Sequence, residues 1–328
     1  MATRDLPDAI APLASHCMLD VWRGDGAPTP DALAARLADA DGLLCLLVDR
    51  IDATLLARAP HLRAISSVSV GVDHIDLAAA TARGIPVGHT PGVLTETTAD
   101  LAFALLLAAA RRLVEADGFV RAGRWQAWEP DLLLGRDVHG ATLGIVGFGA
   151  IGRAVARRAL GFGMRVLAWS RTRRPLGDLA GAVAWAELPA LLAVSDFVSV
   201  HVALAPETRG LLDAAAIARM KPGAILVNTA RGGIVDEAAL AAALREGRLA
   251  AAGLDVFARE PLPPDDPLLA LPNLVVAPHV GSASVATRAR MAELAARNLL
   301  AGLAGRRMPA CANPQVYGVE ASETEAKR

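Results

Sequence analysis

Short apolar runs bounded by glycine and polar residues alternate along this chain with stretches of helical period, and the alternation occurs twice. Between about residues 17 and 87 the pattern predicts helices at 31–40 and 54–59 and strands at 43–48, 64–67 and 85–87. A long helical stretch at 97–124 and a loop at 125–136 containing Trp, Pro and Leu separate this region from the next. There, apolar runs at 142–146, 165–169, 197–200, 224–228, 251–254 and 274–276 predict six strands with helices between them. Strands joined through helical, right-handed crossovers lie parallel in one sheet covered on both faces. Residues 284–304 predict a final Ala-rich helix that returns to the first region, and the polar tail 319–328 is expected to fray.

Composition narrows the function classes. The chain has 328 residues, 53% of them hydrophobic and 20% charged, which is enough for two domains with separate cores. A formal net charge of −1 offers no long-range attraction to nucleic acid or anionic lipid, so neither is expected as a partner. The longest apolar helical run, 101–110, is flanked by Asp100 and by Arg111-Arg112. It falls short of the ~20 residues a membrane span needs. The N-terminus, with Asp5, Pro7 and Asp8, lacks the pattern of a signal peptide. Cys17, Cys45 and Cys311 are far apart and form no C-x-x-C, which suits a reducing, cytoplasmic location. No metal-ligand spacing is visible, and no metal is expected.

Candidate chemistry begins at Leu143-Gly144-Ile145-Val146-Gly147-Phe148-Gly149-Ala150-Ile151-Gly152. A buried strand runs into G-x-G-x-x-G, and Arg153-Ala154-Val155-Ala156-Arg157-Arg158-Ala159-Leu160 then opens a helix. This is the phosphate-binding turn of a dinucleotide fold, in which the free N–H groups of the helix start face the pyrophosphate. About 20 residues further on, an NAD-binding unit carries an acid for the ribose hydroxyls. Here the second strand ends in Ser170-Arg171-Thr172-Arg173-Arg174, without a carboxylate. Guanidinium groups bind phosphate bidentately, so this loop favours NADP(H) over NAD(H).

Ligands in such sheets bind outside the carboxyl ends of the strands. Three segments stand there: Asn228-Thr229-Ala230-Arg231-Gly232-Gly233, Asp255-Val256-Phe257-Ala258-Arg259-Glu260-Pro261 and Pro278-His279-Val280-Gly281-Ser282. Singly, Arg231 reads as a loop cation, Glu260 as a solvated acid and His279 as a helix-start residue. At three successive strand ends they point to one site.

With Ser69-Val70-Gly71-Val72-Asp73-His74-Ile75-Asp76 and Lys221-Pro222-Gly223, these motifs make the chain similar to the D-isomer-specific 2-hydroxyacid dehydrogenases over nearly its whole length. It most resembles the glyoxylate/hydroxypyruvate reductases, through Gly123-Arg124-Trp125-Gln126-Ala127-Trp128-Glu129-Pro130 and Asn298-Leu299-Leu300-Ala301-Gly302-Leu303. The resemblance implies an α/β protein with two Rossmann-like, doubly wound parallel-sheet domains and a cleft between them. Residues 1–97 plus 287–328 would form the substrate domain and 98–286 the dinucleotide-binding domain.

The resemblance also implies the roles. Arg231 would bind the carboxylate and carbonyl of a small 2-oxo acid. His279 would protonate the carbonyl oxygen as hydride arrives from NADPH, and Glu260 would orient the imidazole and favour its charged form. Val70, Gly71, Ser282 and Trp128 would complete the substrate site. Thr98, Gly147, Gly149, Ala150, Ile151, Gly152, Ser170, Arg171, Thr172, His201, Pro206, Thr229, Ala230, Arg231, Asp255, His279 and Gly281 would line the cofactor. In this subgroup Trp128 reaches the pocket of a neighbouring subunit, which implies a homodimer. The segment His201-Val202-Ala203-Leu204-Ala205-Pro206 departs from the family's usual Leu, Pro and Thr neighbours, leaving cofactor contacts there open. Two other readings stay open on the same frame. One is a phosphite dehydrogenase-like enzyme, which has Lys where this chain has Val70. The other is a nucleotide-sensing, corepressor-like binding protein.

Overall fold

The computed structural model describes residues 1–318, so the tail expected to fray lies outside the described residues. The chain divides into two compact units, Met1–Leu94 with Ala283–Arg328, and Thr95–Ser282. Both are built on parallel sheets with helices on their faces.

In the first unit, β1 (Gly42–Cys45), β2 (Ala64–Ser67) and β3 (Val87–Gly88) pair in sequential order. Parallel bridges from Ala2 to Leu44 and Val21 extend the sheet beyond β1, and an antiparallel bridge joins Cys311 to Gly88. Every residue of the three strands is buried, as parallel sheets covered on both faces require. The first strand is shorter than the predicted 43–48. The Asp49 carboxylate accepts from the Leu46 N–H at 2.7 Å, and the Asp49 N–H bonds the Leu46 carbonyl, which turns the chain out of the sheet. The C-terminal helix, Val285–Leu303, is capped by Ser284, whose Oγ accepts from Thr287 N–H. It packs its Ala- and Leu-rich face into this unit. There Asn298 donates to the His89 carbonyl and accepts from Ala310 N–H, tying the returning helix to the end of β3.

The second unit holds a seven-stranded sheet: β4 (Thr142–Val146), β5 (Arg165–Trp169), β6 (Val183–Trp185), β7 (Phe197–Val200), β8 (Ile225–Asn228), β9 (Ala251–Leu254) and β10 (Leu274–Val276). Its order is β10-β9-β8-β7-β4-β5-β6, all parallel. The strand order reverses at β4, and the glycine turn leaves the sheet there, where ligands of doubly wound folds bind. Six strands were expected; the seventh, β6, is a three-residue edge strand, Val-Ala-Trp, in which only Val183 is fully buried.

The predicted helix 97–124 is two helices, Thr95–Ala110 and Leu113–Arg121. They part at Arg112, whose φ is +51°. The second of them buries none of its residues, so packing gives it no reason to continue the axis of the first.

Candidate active site

Three glycines shape the turn after β4. Gly147 has φ +105°, and a Cβ there would lie 2.5 Å from the backbone of His201. A Cβ on Gly152 would collide with the Gly147 carbonyl, so helix and turn pack only because this residue has none. Around Gly149 nothing lies within 4 Å of a built Cβ, leaving the backbone open to an approaching group. The helix Ala150–Gly161 has no side-chain cap, and its first bond runs from Arg153 N–H to the Gly149 carbonyl. The N–H groups ahead of it, from Ala150 to Gly152, therefore remain for an anion. Thr229, at the end of β8, has a buried hydroxyl without a hydrogen-bond partner among the described residues. An open glycine cradle and an orphaned buried hydroxyl both fit a dinucleotide.

Ser170, Arg171 and Thr172 leave the end of β5, with Arg171 and Thr172 exposed. Arg171 pairs with Glu207 at 2.9 Å, and Arg173 pairs with Glu187 at 2.5 Å while lying over the Trp185 ring. These acids come from distant positions, which local spacing could not reveal. Pro206 is exposed beside Glu207, in a turn fixed by Thr208, whose hydroxyl accepts from Ala205 N–H and donates to the Ala203 carbonyl. His201 backs the glycine turn and holds Ser199 Oγ at 2.8 Å. Desolvation lowers its pKa from 6.5 to about 3, so its ring is neutral at ordinary pH.

The triad residues are set on three loops. Asn228, buried at the end of β8, donates to the Arg231 carbonyl and accepts from Ala230 N–H, shaping the turn that carries Arg231. Gly232 follows, in backbone contact with Phe257 and Ala258 so close that no Cβ fits. That approach brings the β8 loop against the β9 loop. In the latter, Glu260 accepts from Phe257 N–H through Oε1 at 2.9 Å and holds His279 Nδ1 at 2.7 Å through Oε2. Burial opposes ionisation of Glu260. The His279 hydrogen bond, the Phe257 N–H and the charges of His279 and Arg231 outweigh it and hold the carboxyl below its ordinary value.

Asp255 organises the third loop. Its carboxylate accepts from Val280 N–H at 2.7 Å and Gly281 N–H at 2.8 Å, and its carbonyl accepts from His279 N–H. His279 itself has φ +55°, a conformation the surrounding bonds must impose. Burial raises the Asp255 pKa, with Glu260 adding to it, while the two N–H bonds and the His279 charge oppose the rise. Gly281 also touches Thr98: a Cβ built on it would lie 3.4 Å from Thr98 Cγ2.

Ser282 is half-buried two residues after Val280. Val70 and Gly71 belong to the first unit, on a loop held by Ser69, which donates to the Gly71 carbonyl and contacts Ser67 at 2.7 Å. Ser67 in turn holds His74 Nε2 at 3.0 Å. Trp128 is 79% exposed, with Trp125, Leu113, Val114, Val120 and Leu134 also exposed on the same stretch. Sequence reasoning missed Asn228 and Glu207 as site residues. The polar residue in Asn228-Thr229 was a readable signal; Glu207 had none. Among the described residues no group of His, Cys, Asp and Glu could hold a metal, and no helix is long and apolar enough to cross a membrane.

Residues 103–281 match the family model for the NAD binding domain of D-isomer specific 2-hydroxyacid dehydrogenases. A glyoxylate reductase of Korarchaeum cryptofilum is 52% identical over 319 residues, spanning 97% of this chain and 96% of that protein. A Thermus thermophilus protein of known crystal structure superposes with a TM-score of 0.89 at 53% identity, covering 95% of this chain and 98% of that one. An NADPH-dependent glyoxylate/hydroxypyruvate reductase from Sinorhizobium meliloti, solved with NADP and malonate, gives a TM-score of 0.84 at 33% identity, covering 95% and 96%. The family's domain model takes in more than half of the residues, and a relative matches nearly end to end, so the chain belongs to the D-isomer specific 2-hydroxyacid dehydrogenase family.

Proposed function

We propose that the protein is an NADPH-preferring reductase that converts a small 2-oxo acid to the 2-hydroxy acid: glyoxylate to achiral glycolate, or hydroxypyruvate to the D-2-hydroxy acid. The observation that carries this reading is the 2.7 Å pair of His279 with Glu260, in a cluster where the charge of Arg231 also acts on Glu260. Relatives named glyoxylate reductase support the substrate class. The Sinorhizobium meliloti enzyme, named as NADPH-dependent, supports the cofactor.

The nicotinamide, when bound, supplies the hydride. The chain's residues do the rest. Glu260 accepts a hydrogen bond from Nδ1–H of the His279 imidazolium, which leaves Nε2–H to face the substrate carbonyl and to donate its proton as negative charge builds on the oxygen, the ring ending neutral. Arg231 binds the carboxylate and steadies the same oxygen with its fork of donors. In the first unit, Val70 and Gly71 present main-chain N–H groups that have no partner among the described residues, a donor pair of the kind that suits a carboxylate. Asp255 keeps His279, Val280 and Gly281 in register. Ala150 to Gly152 hold the pyrophosphate, and Thr98, Ala230 and Thr229 line the cofactor. Ser170, Arg171 and Thr172 bind the 2′-phosphate.

We assign the exposed apolar residues from Leu113 to Leu134 to a homodimer interface, with Trp128 reaching the partner's substrate pocket. Three free cysteines suit the cytoplasm. The test is turnover with glyoxylate, hydroxypyruvate and pyruvate, each with NADPH and NADH. Glyoxylate or hydroxypyruvate with NADPH should give the highest kcat/KM; absence of turnover with every pair would refute the reading.

A further inference from the structure

The loop after β5 contains no carboxylate of its own, yet one reaches it from across the sheet. Glu207, in the turn after β7, places Oε2 2.9 Å from Arg171 Nη1. Strands β5 and β7 flank β4 on opposite sides. The ion pair therefore joins the two loops on either side of the glycine turn, where the adenosine half of a dinucleotide lies in such sheets.

Both ends of this bridge are anchored through their backbones. The Glu207 turn is held by the buried Thr208 hydroxyl, bonded to Ala205 and Ala203. The 170–176 loop is tied to the helix Ala150–Gly161 by Arg153, which donates to the carbonyls of Pro175 and Leu176. Arg173 is engaged by Glu187 and Trp185. The Arg171 and Glu207 side chains, by contrast, are 52% and 63% exposed, and an exposed pair of this kind is weak enough to be parted by a ligand.

We propose that Glu207 is a cofactor-specificity residue, supplying in space the acid that the strand end lacks in sequence. With NADH its carboxylate accepts the adenosine ribose hydroxyls, as a strand-end acid does in NAD-binding folds. With NADPH it releases Arg171 to the 2′-phosphate and stands as a like charge beside that phosphate. The two residues oppose one another: Arg171 favours the phosphorylated cofactor and Glu207 the plain one. The preference for NADPH is therefore narrower than Ser170-Arg171-Thr172 alone would set. This inference rests on the cofactor reading above.

The test measures NADPH and NADH binding by calorimetry without substrate, at fixed ionic strength, in the full chain and in Glu207→Gln, Glu207→Asp and Arg171→Ala. Kinetic ratios of kcat/KM accompany the binding data. In Glu207→Gln, NADPH should bind about two- to fivefold more tightly and NADH about as many fold more weakly, the scale of exposed charge pairs. Glu207→Asp should recover most of the lost NADH affinity. Arg171→Ala should weaken NADPH far more than NADH. If Glu207→Gln moves neither cofactor while Arg171→Ala still weakens NADPH selectively, Glu207 has no such role and the cofactor reading stands. If Arg171→Ala weakens both equally, or neither, the cofactor reading itself fails and this inference falls with it.

Discussion

His279 Nδ1 and Glu260 Oε2 lie 2.7 Å apart although they stand on loops that leave different strands. Both side chains are about three-quarters buried, so the pair is sheltered from solvent without being sealed from a substrate. Glu260→Gln removes the anionic partner of the imidazolium. The reductase kcat should then fall while NADPH still binds, because the ring loses the acceptor that orients it and the charge that balances it. On the acid side, Glu260 is held below its ordinary value of 4.5. The stability it contributes is present above that value and is lost only as pH falls through the lower folded one. An undiminished kcat in Glu260→Gln would remove Glu260 from the mechanism.

Asp255 binds the His279 loop through two N–H groups, so Asp255→Asn should replace one acceptor with a donor aimed at a donor. A lost bond of this kind, with a buried group left unpaired, costs about 1–3 kcal/mol. The variant should be less stable to urea, and its kcat should fall more than its NADPH affinity. Equal loss of kcat and of cofactor binding would indicate that Asp255 acts on the cofactor and not through His279.

Arg231→Lys should not restore activity, since a point charge cannot span carboxylate and carbonyl as a guanidinium fork does. A drop in kcat/KM for glyoxylate of at least about a hundredfold is expected, on the scale of a lost transition-state donor. Wild-type kcat/KM in this variant would refute the bidentate role.

His201 links stability to pH. In the unfolded chain its imidazole binds a proton near pH 6.5, and in the folded chain only near about 3. Between those values the unfolded state holds more protons, so stability rises with pH: it is full above 6.5 and is lost progressively as pH falls toward 3. From pH 7 to pH 5 this amounts to up to about 2 kcal/mol. Urea unfolding of His201→Asn should show a correspondingly flatter pH dependence, and an identical dependence would show that the ring titrates in the fold.

The glycine turn was legible because its chemistry is local: positive φ at Gly147 and close packing at Gly152 exclude side chains whatever the rest of the chain does. The parallel sheet was legible from the apolar runs between helices. The helix break at Arg112 was not, since arginine is a good helix former and no Gly or Pro marks the site. Nor was β6, an edge strand interrupted by the exposed Ala184 and so without an apolar run. The pairing of Arg171 with Glu207 depends on β5 and β7 flanking β4, a property of strand order that no window of sequence contains. Glu260 and His279 were assigned to each other by family resemblance; spacing alone put them only at neighbouring strand ends.

The central claim is that His279 delivers the proton in reduction of a 2-oxo acid. Its most direct test is kcat for glyoxylate with NADPH in wild type and His279→Ala, with NADPH binding measured in parallel. The account predicts a fall in kcat of about 10²–10⁴, the usual worth of a positioned acid, with NADPH still bound. Near-normal turnover in His279→Ala would contradict it.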